Sequence, residues 1–304
     1  LNKPPFHPYL IVFIGVISIS TSAIFVKAAG DAPASIIAFY RLLMAVSIMA
    51  PYVVWKHIDE IKHLHVKEWL LTTISGIFLA FHFIFWFESL NYTSVASSVV
   101  LVSLQPVFAF LGTFLFFKER FTTGAVMSLI ITITGSAIIG WGDWQLSGQA
   151  LYGDSLALLG AVMVTGYFLL GQKLRQRLSL MAYTFIVYGT AAATLFLYNT
   201  AFSFPFTGYD GRQWTVFLCL AIIPTFFGHT LFNWTIRWLS AATISMAVLL
   251  EPVGAAVLAY FFLGELITWS QFLGGSIVLF GLMLFLLSTT ITYSKRIKHK
   301  TGKS

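Results

Sequence analysis

The 304-residue chain is 58% hydrophobic and 10% charged, with a mean hydropathy of +0.85. A water-soluble domain carries about 25% charged residues, so a soluble globular fold is excluded and lipid must be the solvent for much of the molecule. The net charge of +7 does not point to nucleic acid either, because the basic residues sit in short gaps between apolar runs, where membrane proteins place them.

A membrane-spanning helix needs about 20 apolar residues. Runs of suitable length fall at 9–28, 34–55, 67–90, 93–117, 121–141, 152–172, 180–201, 213–236, 240–263 and 268–291. The first belongs to a repeated pattern and is followed by no cleavage site, so it reads as a span rather than a signal peptide. Asp31-Ala32-Pro33 parts the first two runs, Asn91-Tyr92 the third and fourth, and Lys118-Glu119-Arg120 the fourth and fifth. The single cysteine, Cys219, lies in an apolar run, cannot form an intramolecular disulfide and reads as core.

Lys and Arg set an orientation. With both termini cytoplasmic, fifteen basic residues fall inside: Lys3, Lys56, Lys62, Lys67, Lys118, Arg120, Lys173, Arg175, Arg177, Arg237, Lys295, Arg296, Lys298, Lys300 and Lys303. Only Lys27 and Arg212 fall outside, and Arg41 lies within a helix. That alternation requires an even number of spans, which supports ten independently of hydropathy.

The chain also repeats itself. A shift of 146 residues places Leu104-Gln105-Pro106-Val107 on Leu250-Glu251-Pro252-Val253, Ala109 on Ala255, Glu119 on Glu265, Thr122 on Thr268 and Gly135 on Gly281. Five spans per repeat invert the second copy in the bilayer, and the charges agree, since Lys118 and Arg120 become Gly264 and Leu266. The fold class expected is an all-α integral membrane protein, ten transmembrane helices as two inverted five-helix repeats. The repeats occupy 9–141 and 152–291, followed by a basic cytoplasmic tail at 292–304. Inverted repeats with a site at their interface are a transporter architecture.

These features resemble the EamA family of the drug/metabolite transporter superfamily. The residues that carry the resemblance are Ala34 to Arg41, Pro106-Val107 with Phe116-Phe117-Lys118-Glu119, Glu251-Pro252-Val253 with Leu263-Gly264-Glu265, and Gly274 and Gly281. The resemblance implies a secondary transporter, commonly an exporter of amino acids or other small metabolites, and it names no particular substrate.

Several residues stand out as candidates for the mechanism. Pro106 and Pro252 fall in mid-helix, where each removes a backbone hydrogen bond to the carbonyl four residues earlier, here Val102 and Val248. Those carbonyls must face protein or a wet cavity, so a kink is expected at each. Glu251 lies near the bilayer centre, where a charge costs about 2.5–3.5 kcal/mol on the insertion scale. It reads either as a coupling-proton or solute-ammonium site or as a paired structural residue, with Gln105 as its counterpart. His82 and His229, offset by 147 residues, are expected to line the solute path or to bond a neighbouring helix. Trp86, Tyr167, Asn233 and Trp234 offer stacking and polar contacts, or simple packing.

Arg41, about 10 Å inside its helix, reads as a structural intramembrane charge held by a salt bridge or a carbonyl. Gly124, Ser128, Thr132, Ser136 and Gly140 form a small-residue stripe for close packing, within the chain or in a homodimer. His57, Asp59, Glu60, His63 and His65 match no metal-site spacing and read as a solvated loop face. No metal and no cofactor are expected.

The sequence holds no zinc-protease, serine-hydrolase or phosphate-loop motif, so no enzymatic activity is expected. The expectation is a secondary active transporter that moves a small polar or aromatic metabolite across the cell membrane by alternating access. The alternatives are a channel-like or facilitative carrier without ion coupling, and an intramembrane enzyme. The partners expected are a small-molecule solute, the bilayer and a coupling proton, with no nucleic acid.

Overall fold

A computed structural model describes residues 4–93, 95–141, 148–263 and 266–301. Lys3, Gly264, Glu265 and Lys303 lie outside the described residues. Those described form ten apolar helical segments and no strand. Helix α1 covers Pro8–Ala28, interrupted at Thr21. Helix α2 is Ala34–Lys56 and α3 is Val66–Ser89, with a short helix, Ile58–Lys62, between them. Helix α4 comes in two pieces, Val95–Val102 and Gln105–Phe117, and is followed by α5, Thr123–Trp141.

Helix α6 is Gly148–Leu174, α7 Leu180–Ala201 and α8 Gly211–Thr235. Helix α9 is again in two pieces, Ala241–Val248 and Glu251–Leu263, and α10 is Trp269–Thr301. Eight of these segments are long and apolar enough to cross a membrane, and the apolar stretches Thr123–Ile139 and Phe272–Ser288 of α5 and α10 are shorter.

Local chemistry explains where the helices start and turn. Gly30 takes a left-handed conformation (φ 64°) in the tight turn between α1 and α2, which glycine adopts without steric cost. Helix α8 opens with a reciprocal cap: Gln213 N–H donates to Asp210 Oδ1 (2.8 Å) and Asp210 N–H to Gln213 Oε1 (2.9 Å). Ser179 and Ser240 cap α7 and α9 through the N–H groups of Ala182 and Thr243.

The helices pack in symmetric sets. Helix α3 lies along α6, and its counterpart α8 lies along α1; α4 rests on α6 as α9 rests on α1. The pairs α2–α7, α4–α9 and α5–α10 each join a helix to its own counterpart. A pseudo-twofold axis relating the repeats accounts for this pattern. The stripe on α5 is used within the chain. A Cβ on Gly135 would lie 2.7 Å from Gly274 O, and one on Gly281 would meet Thr132. Large apolar side chains such as Leu111, Phe116, Phe261 and Phe262 point outward, which suits lipid as solvent.

Candidate functional site

The two broken helices locate the site. Helix α4 stops at Val102 and resumes at Gln105; α9 stops at Val248 and resumes at Glu251. The breaks are the same under the 146-residue shift, and each lies just before a proline, Pro106 and Pro252, both buried at the start of the second piece. Proline has no N–H to offer the carbonyl four residues back, and Val102 and Val248, which carry those carbonyls, line a common cavity.

That cavity has a volume of about 30 Å3, room for one or two water molecules. Eight of its wall residues are four pairs related by the 146-residue shift: Ser22 and Phe168, Trp86 and Phe232, Val102 and Val248, Gln105 and Glu251. The cavity therefore straddles the pseudo-twofold axis. His82 and His229 complete its polar lining, with ring centroids 6.3 Å apart.

The wall is polar beyond what the protein itself satisfies. Trp86 Nε1, Gln105 Nε2 and His229 Nδ1 are buried without a hydrogen-bond partner among the described residues. His82 differs, because its Nδ1 lies 2.9 Å from Gly160 O. A carbonyl can only accept, so Nδ1 carries the proton. The Glu251 residue is 5% exposed, and no hydrogen bond or ion pair of its carboxylate is found among the described residues.

Tyr167 and Asn233 form a layer beside the cavity rather than its wall. Asn233 Nδ2 donates to Tyr167 Oη and to His229 O (2.8 Å), and the Tyr167 ring centroid lies 6.0 Å from that of His229. Trp234 packs at a tilt of 52° against Trp238, with ring centroids 4.5 Å apart, and is not part of the cavity wall.

Arg41 corrects an expectation. Among the described residues it makes neither a salt bridge nor a carbonyl contact. Its Nε donates to Thr225 Oγ1 (2.7 Å), its Nη1 reaches Ser22 Oγ (3.4 Å), and its guanidinium carbon lies 4.3 Å from the Phe83 ring centroid. Hydroxyls and an aromatic face replace the carboxylate. Thr225 belongs to Ala221–Thr230, a stretch of α8 wound as a π-helix around Pro224. Its hydroxyl donates in turn to Leu220 O, five residues back (2.8 Å).

The two ends of the bundle differ. At the end carrying the termini, Gln172 of α6 ties two helices together. Its Nε2 donates to Glu119 Oε1 after α4 (2.9 Å), and its Oε1 accepts from Ala241 N–H at the start of α9 (2.7 Å). Glu60 is a second correction, since it is not simply a solvated loop residue. Its Oε1 accepts from Ser179 N–H at the start of α7 (2.6 Å), and its Oε2 lies 3.2 Å from His57 Nδ1. Burial alone would raise this carboxyl, but the hydrogen bonds from Ser179 and the neighbouring His57 outweigh it and hold Glu60 below the usual carboxylate range. Asp59, His63 and His65 are exposed. At the opposite end a cleft of about 410 Å3, lined by Asp31, Glu88, Tyr152 and Tyr198 among others, opens between α2, α3, α6 and α7.

The sequence candidates His82, Gln105, His229 and Glu251 bring α3, α4, α8 and α9 to the cavity; α6 takes part through Val164 and Phe168 rather than the expected Tyr167, and α1 through Ile19 and Ser22, which the sequence did not single out. One of the missed wall residues had a usable signal, because shifting Trp86 by 146 residues gives Phe232.

The sequence profile of the EamA-like transporter family matches residues 7–141 and 151–287. The uncharacterized transporter YxxF of Bacillus subtilis is 31% identical over 223 residues, 73% of this chain and 71% of that protein. An uncharacterized transporter of Archaeoglobus fulgidus is 24% identical over 82% of this chain and 86% of its own length. A protein of Streptantibioticus cattleyicolor named "Probable terminal-alkyne amino-acid exporter" is 27% identical over 61% of this chain and 62% of that protein. One crystal structure superposes with a TM-score of 0.77 over 93% of this chain and 98% of the other, at 18% identity. That likeness concerns the fold alone.

Proposed function

Because this chain belongs to the EamA-like transporter family, we propose that it is a secondary active transporter that exports a small metabolite by alternating access. The solute is an amino acid or a related polar or aromatic compound, and the protein performs no chemistry on it. The observation that carries this reading is the cavity built on the pseudo-twofold axis, with four pairs of equivalent residues in its wall. A site on that axis is presented to either side when one repeat rocks against the other. At about 30 Å3 the cavity is too small for a metabolite, so loading requires the repeats to part. The breaks at residues 103–104 and 249–250 supply joints for that movement.

The excess of Lys and Arg at the termini end makes that end cytoplasmic in the cell membrane. Gln172 and Glu60 then tie the cytoplasmic side while the outer cleft stands open. The amino-acid class takes support from the named exporter relative and from the unsatisfied donors that face the cavity together with one carboxylate.

Glu251 is the coupling residue in this proposal. Desolvation disfavours the charged form of a carboxyl group, and such a group can take a proton from one side and release it to the other. Glu251→Gln retains size and loses titration. The variant is expected to insert normally and to lose pH-dependent concentrative transport while keeping exchange. Unchanged flux, pH profile and affinity would reduce Glu251 to a packing role.

A further inference from the structure

Arg41 is a fully buried cation in a membrane helix, and none of its contacts supplies a counter-charge. Its Nη2 has no hydrogen-bond partner among the described residues. Glu251 acts on the guanidinium through space without contact, and a buried charge without a contacting partner is costly, so the scaffold ought to need it or the solute ought to use it. The pseudo-twofold symmetry separates these two cases. Arg41, Thr225 and Ser22 come from α2, α8 and α1; the 146-residue shift carries them to Val187, Leu79 and Phe168 on α7, α3 and α6. All three counterparts are buried and apolar. The three equivalent positions thus pack as apolar side chains, with the nearest polar contact one turn away between Ser75 and Tyr183 (2.8 Å), so the fold does not require a charge at the position of Arg41.

The location gives the charge a use. Ser22, whose hydroxyl meets Arg41 Nη1 at 3.4 Å, is itself a cavity wall residue, so Arg41 stands one side chain behind the wall. That contact is longer than an ordinary N–H···O bond and is readily given up. Glu251 faces the same cavity from α9. A guanidinium thus stands behind one wall of the cavity and a carboxylate in another, the two sensing each other through space, and Trp86 and Gln105 add donors without protein partners to the same wall.

We propose that Arg41 is a solute-binding residue. When the cavity opens it turns from Ser22 and takes the carboxylate of a zwitterionic solute whose ammonium group meets Glu251. Nε stays on Thr225, which holds the guanidinium plane, while Nη1 and Nη2 present the paired N–H groups that match a carboxylate. This assignment rests on the reading of the cavity as a solute site and deepens it.

The test uses three probes with one side chain: L-leucine, 4-methylpentanoate without the amine, and 3-methylbutylamine without the carboxylate. Each is titrated against the purified full-length protein, with thermal unfolding in detergent as readout. Leucine is expected to act at the lowest concentration and the amine at the highest. Arg41→Gln should weaken leucine and 4-methylpentanoate roughly ten- to hundredfold, the loss expected for hydrogen bonds to a charged group, and leave the amine unchanged. Arg41→Lys, which keeps the charge without the fork, should fall between.

Equal action of leucine and the amine on the wild-type protein would overturn the assignment, and that comparison decides even if Arg41→Gln does not fold. Equal response of wild type and Arg41→Gln to the two carboxylates, or no response of the wild type to any probe, would also overturn it. Saturable proteoliposome flux restricted to solutes without a carboxylate would overturn the role of Arg41 and leave the transporter reading standing. No flux of any solute would remove that reading and this assignment together.

Discussion

Removing Gln172 should unlock the side of the protein that carries the termini. Its amide makes two hydrogen bonds at once, one to the Glu119 carboxylate (2.9 Å) and one from the Ala241 N–H (2.7 Å). A hydrogen bond to a charged group contributes about 1.5–3 kcal/mol and a neutral one about 0.5–1.5 kcal/mol. Both are only part-buried, so water recovers some of the loss, and about 2 kcal/mol is a fair working value for Gln172→Ala. At about 1.4 kcal/mol per tenfold, that shifts the ratio of opened to closed forms roughly thirtyfold.

The shift can be read with a cysteine at the cavity wall. Val102→Cys, in a protein whose Cys219 is changed to Ser, is labelled with a membrane-impermeant maleimide in inside-out vesicles. Labelling should be slow with Gln172 present and about thirtyfold faster with Gln172→Ala, following the population of the opened form. Adding Glu119→Ala should contribute little more, because the two residues share the interaction. A folded Gln172→Ala protein labelled at the unaltered rate would refute the idea that this amide holds the cytoplasmic side shut.

Two further expectations concern stability. Glu60 is held below its ordinary range, so the stabilisation it provides is present above the usual carboxylate pKa and is lost as pH falls through the lowered value. Thermal unfolding followed from pH 7 down to pH 3 should show that loss, and Glu60→Gln should flatten it; identical profiles would contradict the assignment. Gly135→Ala places a Cβ 2.7 Å from Gly274 O and 2.8 Å from Val278 N, backbone atoms with little room to yield. It should cost about 1–3 kcal/mol, whereas Gly148→Ala, with open space around it, should be nearly neutral; equal unfolding temperatures would refute the tight α5–α10 contact.

The ten segments were legible because lipid imposes a length and a composition that few other environments demand. Their observed limits lie within a few residues of the apolar runs, apart from the longer C-terminal extension of α10. The pairing of α4 with α9 was also legible, through the shared Leu-x-Pro-Val. What did not appear in the sequence is contact between distant elements. Glu60 reads as one more charge in a polar loop until the fold brings Ser179 to it, 119 residues further on. Pro224 announces a local disturbance in α8, yet not that the turn widens into a π-helix with Thr225 aimed at Arg41. Arg41 itself invited a salt bridge because a carboxylate is the usual partner of a buried guanidinium, and the comparison that makes its setting intelligible, with Val187, Leu79 and Phe168, needs the packing as well as the repeat.

The most direct test of the whole account is solute flux in proteoliposomes of the purified protein. Radiolabelled amino acids are screened with and without unlabelled solute on the far side of the membrane. A carrier whose single cavity opens alternately to each face predicts uptake that saturates with concentration and is accelerated by solute on the opposite side. Flux that rises linearly without saturation and is indifferent to that solute would contradict alternating access, and recovery of a chemically altered solute would contradict transport as the protein's activity.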